Sequence, residues 1–262
     1  MRRITWLFVA AFLILAACGS DATAPKSVAL ASGAKAAPSG PVLVFAAASL
    51  TESLTNEKTT LQSEQPGLDV TLNFAGSGTL ITQIQQGAEA DVIATADTAS
   101  MQKLVDAGLV ETPTVFAHNK LAIVVQSGNP KAIHTLADLA RPDVTVVLAD
   151  PSVPAGKYAS QILTKADVMV EPKSLETDVK SAIARVTSGE ADAAIVYVTD
   201  VKAAGGKAEG VDIPDSQNVV ADYPIAIVKA TKHHDAAAAF VDAITKGSGQ
   251  AALSTSGFLT AA

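Results

Sequence analysis

Two stretches decide the reading: Phe45-Ala-Ala-Ala-Ser49-Leu-Thr-Glu52 and Phe74-Ala-Gly-Ser77-Gly78-Thr-Leu80. Each begins at the end of an apolar, strand-like run. Each delivers a serine to the start of a helix-like pattern. A helix start carries backbone N–H groups with no intrahelical partner and the positive end of the helix dipole. A hydroxyl placed there adds one more donor. Two such turns after successive strands make a place where an anion can sit. Ser49-Leu-Thr-Glu52 also fits a capping box, in which Ser49 and Glu52 satisfy the first turn of the helix. In an open α/β sheet, ligands collect beyond the carboxyl ends of the strands.

Outward from these turns the chain alternates apolar runs with amphipathic ones. Strands are expected at Val42–Ala48, Val70–Ala75 and Asp91–Thr95, with helices at Leu50–Ser63, Thr79–Gln86 and Thr98–Ala107. The pattern then restarts. Strands are expected at Lys120–Gln126, Val144–Ala149, Ala193–Val198 and Val219–Val228. The helices between and after them are Ala155–Lys165, Thr177–Ser188, Asp235–Thr245 and Ser248–Ser254, with a short one at Leu136–Leu139. Such alternation predicts an α/β fold with a mainly parallel sheet. Its restart predicts two lobes: residues 42–120 with 221–262, and residues 121–220. Lys120–Val125 and Tyr223–Val228 are the candidate crossovers between them.

A third candidate turn is Asp150-Pro-Ser-Val-Pro154-Ala155-Gly156-Lys157-Tyr158. Pro154 suits a first helical position because its missing N–H would have no partner there. The N–H groups of Ala155 and Gly156 would then be free. Lys157 resembles a phosphate-loop lysine, but that loop needs glycine at 151 and a hydroxyl residue at 158, where this chain has Pro151 and Tyr158.

The 262 residues carry a net charge of −7, which excludes the basic footprint of a nucleic-acid binder. Arg2 and Arg3 followed by the apolar run Ile4–Ala17 read as a secretion signal too short to span a bilayer comfortably. The run closes on Leu15-Ala16-Ala17-Cys18, which resembles a lipobox, so residues 1–17 are expected to be removed and Cys18 lipidated. Cys18 is the only cysteine, so no intrachain disulfide can form. Its acyl chains would anchor the protein to the outer face of the cytoplasmic membrane. Residues 18–41, rich in Ala, Ser, Gly and Pro, are expected to be a flexible tether with an r.m.s. reach of about 25 Å.

The runs FAAASLTESL (45–54), FAGSGTLITQIQQGAEADVIATAD (74–97), DPSVPAGKYA (150–159), DVKSAIARVTSGEADAAIVYVTDV (178–201) and YPIAIV (223–228) resemble the molybdate-binding protein family of bacterial molybdate ABC importers. The resemblance covers most of residues 42–262. It implies the two-lobed type II periplasmic-binding-protein fold, with molybdate or tungstate held in the cleft between lobes that close on a hinge. By motif it places the ligand on the hydroxyls of Ser49, Ser77 and Tyr197 and on the backbone N–H groups of Ala155 and Val179. It implies a membrane permease with its ATPase as partners, a monomeric protein and no cofactor. Gly76 and Gly78 depart from a common variant of the second motif and are expected to loosen that loop.

Other readings are weaker. His118, His134, His233 and His234 have no recognised metal spacing. A Gly-x-Ser-x-Gly nucleophile turn would need glycine at 75, where Ala75 stands. No catalytic constellation emerges, so the expected function is binding and not catalysis. A regulator's effector domain could share the fold, but the lipobox and the lack of a basic helix-turn-helix argue against it. The same fold binding sulfate or another tetrahedral oxyanion is the nearer alternative.

Overall fold

The computed structural model describes residues 37–261. The expected signal segment, Cys18 and most of the expected tether lie outside the described residues.

The first half runs β1 (Gly40–Ala47), a 3₁₀ turn at Ala48–Leu50, α1 (Thr51–Glu64), β2 (Leu68–Ala75), α2 (Ser77–Gln85), β3 (Val92–Ala94), α3 (Thr98–Asp106) and β4 (Thr114–Gln126). It continues through β5 (Val146–Ala149), α4 (Pro154–Lys165), β6 (Ser174–Glu176), α5 (Val179–Thr187), β7 (Ala193–Tyr197), α6 (Val198–Ala204) and β8 (Ala208–Asp212). The chain ends with β9 (Val220–Ile227), α7 (His234–Lys246), α8 (Ser248–Ser256) and β10 (Leu259–Thr260).

The strands form one curled sheet in the order β2-β1-β3-β9-β4-β7-β5-β6, with β8 and β10 also paired to β4. Its two ends are parallel, β1 with β2 and β3 on one side and β5 with β6 and β7 on the other. The expectation of a mainly parallel sheet holds there and fails in the middle. β3 with β9, and β4 with β7, β8, β9 and β10, are antiparallel. The cause is β4. It runs 13 residues, against seven expected, and is shared by both halves. Residues 114–120 pair with β9, and from Leu121 the strand pairs with β7 and β8. A strand running out of one half into the other must meet the returning strand β9 head to tail.

Strands buried on both faces read as continuous apolar runs. β1 and β5 follow that rule, with Val44–Ala47 and all of Val146–Ala149 buried. β1 starts at Gly40, whose N–H donates to the Gly67 carbonyl at 2.8 Å, so Gly40 and Pro41 are strand residues and not tether. α1 contributes Leu54 and Leu61 to the core, and α8 packs beside it. A salt-free polar clasp joins these two helices: Ser248 Oγ donates to Glu57 Oε1 at 2.6 Å and lies 3.0 Å from Glu64 Oε2.

Candidate functional site

Three helix starts and a strand end converge where the two halves of the sheet meet. After β1, the chain enters the 3₁₀ turn with Ser49 at its centre. After β2, Gly76 leads into α2, which begins at Ser77 and not at Thr79 as the pattern suggested. After β5, Val153 leads into α4, with Pro154 in its first turn as expected. β7 ends in Tyr197.

The capping is selective. α3 and α5 have aspartate N-caps, Asp97 accepting from Ser100 N at 2.8 Å and Asp178 from Ser181 N at 2.9 Å. α2 and α4 have Gly76 and Val153 at the cap position, with no side-chain cap bond. Their first N–H groups therefore keep their donors for something else. The proposed capping box at Ser49 and Glu52 does not form. Ser49 lies inside the 3₁₀ turn, α1 begins at Thr51, and no side chain caps either.

A cavity of about 20 Å³ sits at this convergence, lined among others by Ser49, Ser77, Ala155, Val179 and Tyr197. The structure thus brings all five sequence-predicted site residues together, from both halves of the chain. A larger cavity, about 780 Å³, lies at the opposite end of β1, lined by Pro41, Leu43 and Asp91 among others. It sits away from the starts of α2 and α4 and from the carboxyl ends of β1 and β2.

The hydroxyls around the small cavity are polarised. Ser77 Oγ accepts from Ala96 N at 3.1 Å, so its own proton remains to be donated. Ser49 Oγ lies 2.9 Å from Tyr223 Oη. The Tyr197 hydroxyl is buried and has no hydrogen-bond partner. Burial holds its pKa well above the usual tyrosine value, with Tyr223 and Tyr158 adding to the effect, so it stays a neutral donor. A buried hydroxyl without a partner costs about 1–3 kcal/mol, and a ligand oxygen would recover that. Among the described residues no lysine or arginine lines the cavity. The one acid that does, Asp178, has its carboxylate engaged by Ser181 N and Ser181 Oγ.

Two glycines permit this geometry. A Cβ on Gly156 would stand 2.2 Å from the carbonyl oxygens of both Ala149 and Asp150, so only glycine lets α4 start flush against the end of β5. A Cβ on Gly76 would stand 2.7 Å from the Thr177 carbonyl and 3.2 Å from Val153 Cγ1. Gly76 is therefore a point of close approach between the two sides of the cleft, and its ordinary φ of −58° shows that it is not there to loosen the loop.

Ion pairs that sequence reasoning did not foresee bridge the cleft. Lys180 Nζ of α5 reaches Glu52 Oε2 of α1 at 2.6 Å and Asp200 Oδ1 of α6 at 2.9 Å. Lys157 Nζ of α4 reaches Asp97 Oδ2 at 3.1 Å. Each lysine follows a proposed N–H donor by one or two residues, a spacing visible in the sequence. Its partners, 60 and 128 residues away, were not. Tyr223, fully buried beneath Ser49, was likewise read only as a strand residue.

Helix N-termini and neutral hydroxyls closing on a small interlobe cavity are the apparatus of a solute-binding protein. The comparisons agree. The bacterial extracellular solute-binding protein family model matches residues 42–259. The molybdate-binding protein ModA of Mycobacterium tuberculosis is 40% identical over 253 residues, covering 95% of each chain. The Escherichia coli protein of the same name is 33% identical over 203 residues, covering 72% of this chain and 78% of its own. The periplasmic molybdate-binding protein of Azotobacter vinelandii superposes with a TM-score of 0.76 at 20% identity, covering 84% of this chain and all of its own, a likeness of fold. The chain belongs to the molybdate-binding protein family of bacterial extracellular solute-binding proteins.

Proposed function

We propose that this protein captures molybdate, and tungstate with it, in the small interlobe cavity and delivers it to the permease and ATPase of an ABC importer. The observation that carries the reading is the convergence of Ser49, Ser77, Ala155, Val179 and Tyr197 on one cavity, with a buried Tyr197 hydroxyl left unpartnered. A tetrahedral dianion has four acceptor oxygens and no donor. Taking it out of water is costly unless donors replace the lost hydration. Three hydroxyls, the Ala155 and Val179 N–H groups and helix N-termini equivalent to roughly +0.5 charge each supply that replacement. The protein binds and releases its ligand without chemistry. Residues 42–120 with 221–262 form one lobe and 121–220 the other, with β4 as the shared element of the hinge.

The same reading assigns residues 1–17 as a lipoprotein signal, Cys18 as the lipid anchor and the outer face of the cytoplasmic membrane as the site of action. No helix among the described residues is long and apolar enough to cross a membrane.

The test is thermal unfolding of the mature protein with molybdate, tungstate, sulfate or phosphate. A ligand at 100 times its dissociation constant adds about 2.7 kcal/mol of stability. Molybdate and tungstate are expected to produce that shift, and a shift with sulfate alone would move the substrate within the same mechanism. Replacing both Ser49 and Ser77 by alanine removes two charge-assisted donors, each worth about 1.5–3 kcal/mol. The doubly substituted protein is expected to show no shift with molybdate while unfolding near the unliganded temperature. Unchanged affinity would refute the site.

A further inference from the structure

We propose that Lys180 and Lys157 are interlobe positioning residues, each gripping a carboxylate across the cleft, and that together they set how slowly a captured oxyanion leaves. The proposal rests on the oxyanion reading and the two-lobe hinge above, and it concerns retention of the ligand and not its recognition.

The two lysines are placed alike. α5 begins at Val179 and Lys180 follows directly; α4 begins at Pro154, with Ala155 next and Lys157 two residues beyond. The two helix starts that offer the Ala155 and Val179 N–H groups therefore each carry an ammonium in the first turn. Neither lysine lines the cavity. Each reaches instead to a carboxylate of the other lobe, beside one of the two serines. Glu52 lies three residues beyond Ser49, and Lys180 Nζ stands 2.6 Å from its Oε2. Asp97 directly follows Ala96, whose N–H donates to Ser77 Oγ, and Lys157 Nζ stands 3.1 Å from Asp97 Oδ2. One pair ties the Val179 side to the Ser49 side, and the other ties the Ala155 side to the Ser77 side.

Exposed ion pairs usually contribute little, because holding two long side chains in one geometry costs entropy and water competes for both. Here one member of each pair is fixed in advance. Lys180 is held within its own lobe by Asp200, a fully buried carboxylate 2.9 Å from Nζ that also accepts from Tyr197 N. Both members of that contact belong to one lobe, so it persists as the cleft opens and keeps the ammonium beside Glu52. Burial alone would push the Lys180 pKa down, but Asp200 and Glu52 outweigh it, so the pKa stands above the usual lysine value and the charge is kept. In the second pair the carboxylate is the fixed member. Asp97 caps α3 through Oδ1, which accepts from Ser100 N at 2.8 Å, and this leaves Oδ2 for Lys157. The other members, Glu52 and Lys157, are 45% and 40% exposed, so water can take them back as the lobes part. Such pairs form on closure and break on opening. The ligand's donors come from both lobes, so contacts that must break before the lobes part slow its departure without touching it. They form after capture, so they bear on release far more than on association.

The experiment uses the mature protein with Glu52→Gln, with Asp97→Asn and with both changes. Each replacement keeps the side-chain shape and removes the charge on the serine side of the cleft. Lys180 keeps Asp200, and asparagine caps a helix as well as aspartate does. Release of radiolabelled molybdate into an excess of unlabelled molybdate gives the dissociation rate. Calorimetric titration gives the dissociation constant, from which the association rate follows. Each single change is expected to speed release about threefold and the two together about tenfold, with the association rate within about twofold of the unaltered protein. Added salt screens both pairs, so it is expected to speed release from the unaltered protein and to do so more weakly in the double variant. Ligand-free melting is expected to stay close to that of the unaltered protein, and Glu52→Gln, at an exposed side chain, carries the test by itself if Asp97→Asn melts lower. Variants that release molybdate at the unaltered rate, or that lose affinity through association alone, would overturn the latch and leave the site assignment standing. Failure of the unaltered protein to bind molybdate would overturn the site assignment and the latch together.

Discussion

Gly76→Val is expected to weaken molybdate binding by about a hundredfold while leaving the unfolding temperature of the ligand-free protein nearly unchanged. Gly76 ends the β2–α2 turn, and the atoms its side chain would strike, the Thr177 carbonyl at 2.7 Å and Val153 Cγ1 at 3.2 Å, belong to the opposite side of the cleft. The Thr177 oxygen is backbone and cannot swing aside. Valine also projects two methyl groups beyond the Cβ. Nothing within Gly76's own lobe is among its nearest neighbours, so a lobe held apart by hinge opening has room for the larger residue. On the two-lobe hinge proposed above, the cost falls on the closed state, in which Ala155 and Val179 stand against Ser49 and Ser77. Isothermal titration with molybdate gives the affinity, and a thermal melt without ligand gives the control. Wild-type affinity in Gly76→Val would show that the approach at Thr177 is not required for binding. Gly156→Ala provides a contrast. Its Cβ would meet carbonyl oxygens within the same lobe, at the end of β5, so ligand-free stability and binding are expected to fall together.

The two glycines also mark what the sequence could and could not reveal. The strand-then-serine turns and the Pro154 helix start were legible, because they depend on local patterns: apolar runs, a missing proline N–H, small residues at a helix start. Ser49 was singled out partly on a local pattern that does not form. Its capping box with Glu52 fits the spacing, yet Ser49 lies inside the 3₁₀ turn and not at a cap position, and Glu52 reaches Lys180 instead. β4 shows the limit on topology. Its apolar half was recognised, but Thr114–Asn119 is mixed in character and becomes a strand only because β9 lies alongside it. β6, α6 and β8, at three, seven and five residues, are too short to carry a period of their own. The contact between Ser49 and Tyr223 joins residues 174 positions apart, and no spacing rule anticipates it.

Lys180→Met is expected to lower stability by about 1 kcal/mol at pH 7, where Asp200 can still take up a proton, and by about 3 kcal/mol at alkaline pH, the usual consequence of leaving one member of a buried pair without its partner. Lys180 serves two carboxylates. Glu52 is 45% exposed and water can take over its solvation, so that contact contributes little. Asp200 is fully buried, and besides Lys180 its carboxylate accepts from Tyr197 N at 3.2 Å. Burial raises the Asp200 pKa to about 6 even with Lys180 beside it. Removing the lysine takes away the chief influence holding that value down, so in the variant the pKa climbs further. A carboxyl whose folded pKa lies above its unfolded value of 3.8 binds protons more tightly when folded, and its burden on stability grows as pH rises through the interval between the two. Below about 6 both proteins carry the proton on Asp200 and share that burden, so the difference between them shrinks; above the variant's own higher pKa it is complete. Urea unfolding of the two proteins across this range measures the difference directly. Lys180→Met combined with Asp200→Asn removes the stranded charge and is expected to recover most of the loss and flatten its pH dependence. A deficit in Lys180→Met that stays constant with pH and survives Asp200→Asn would place the role of Lys180 in packing, and the Tyr197 end of β7 would then owe its position to contacts other than this pair.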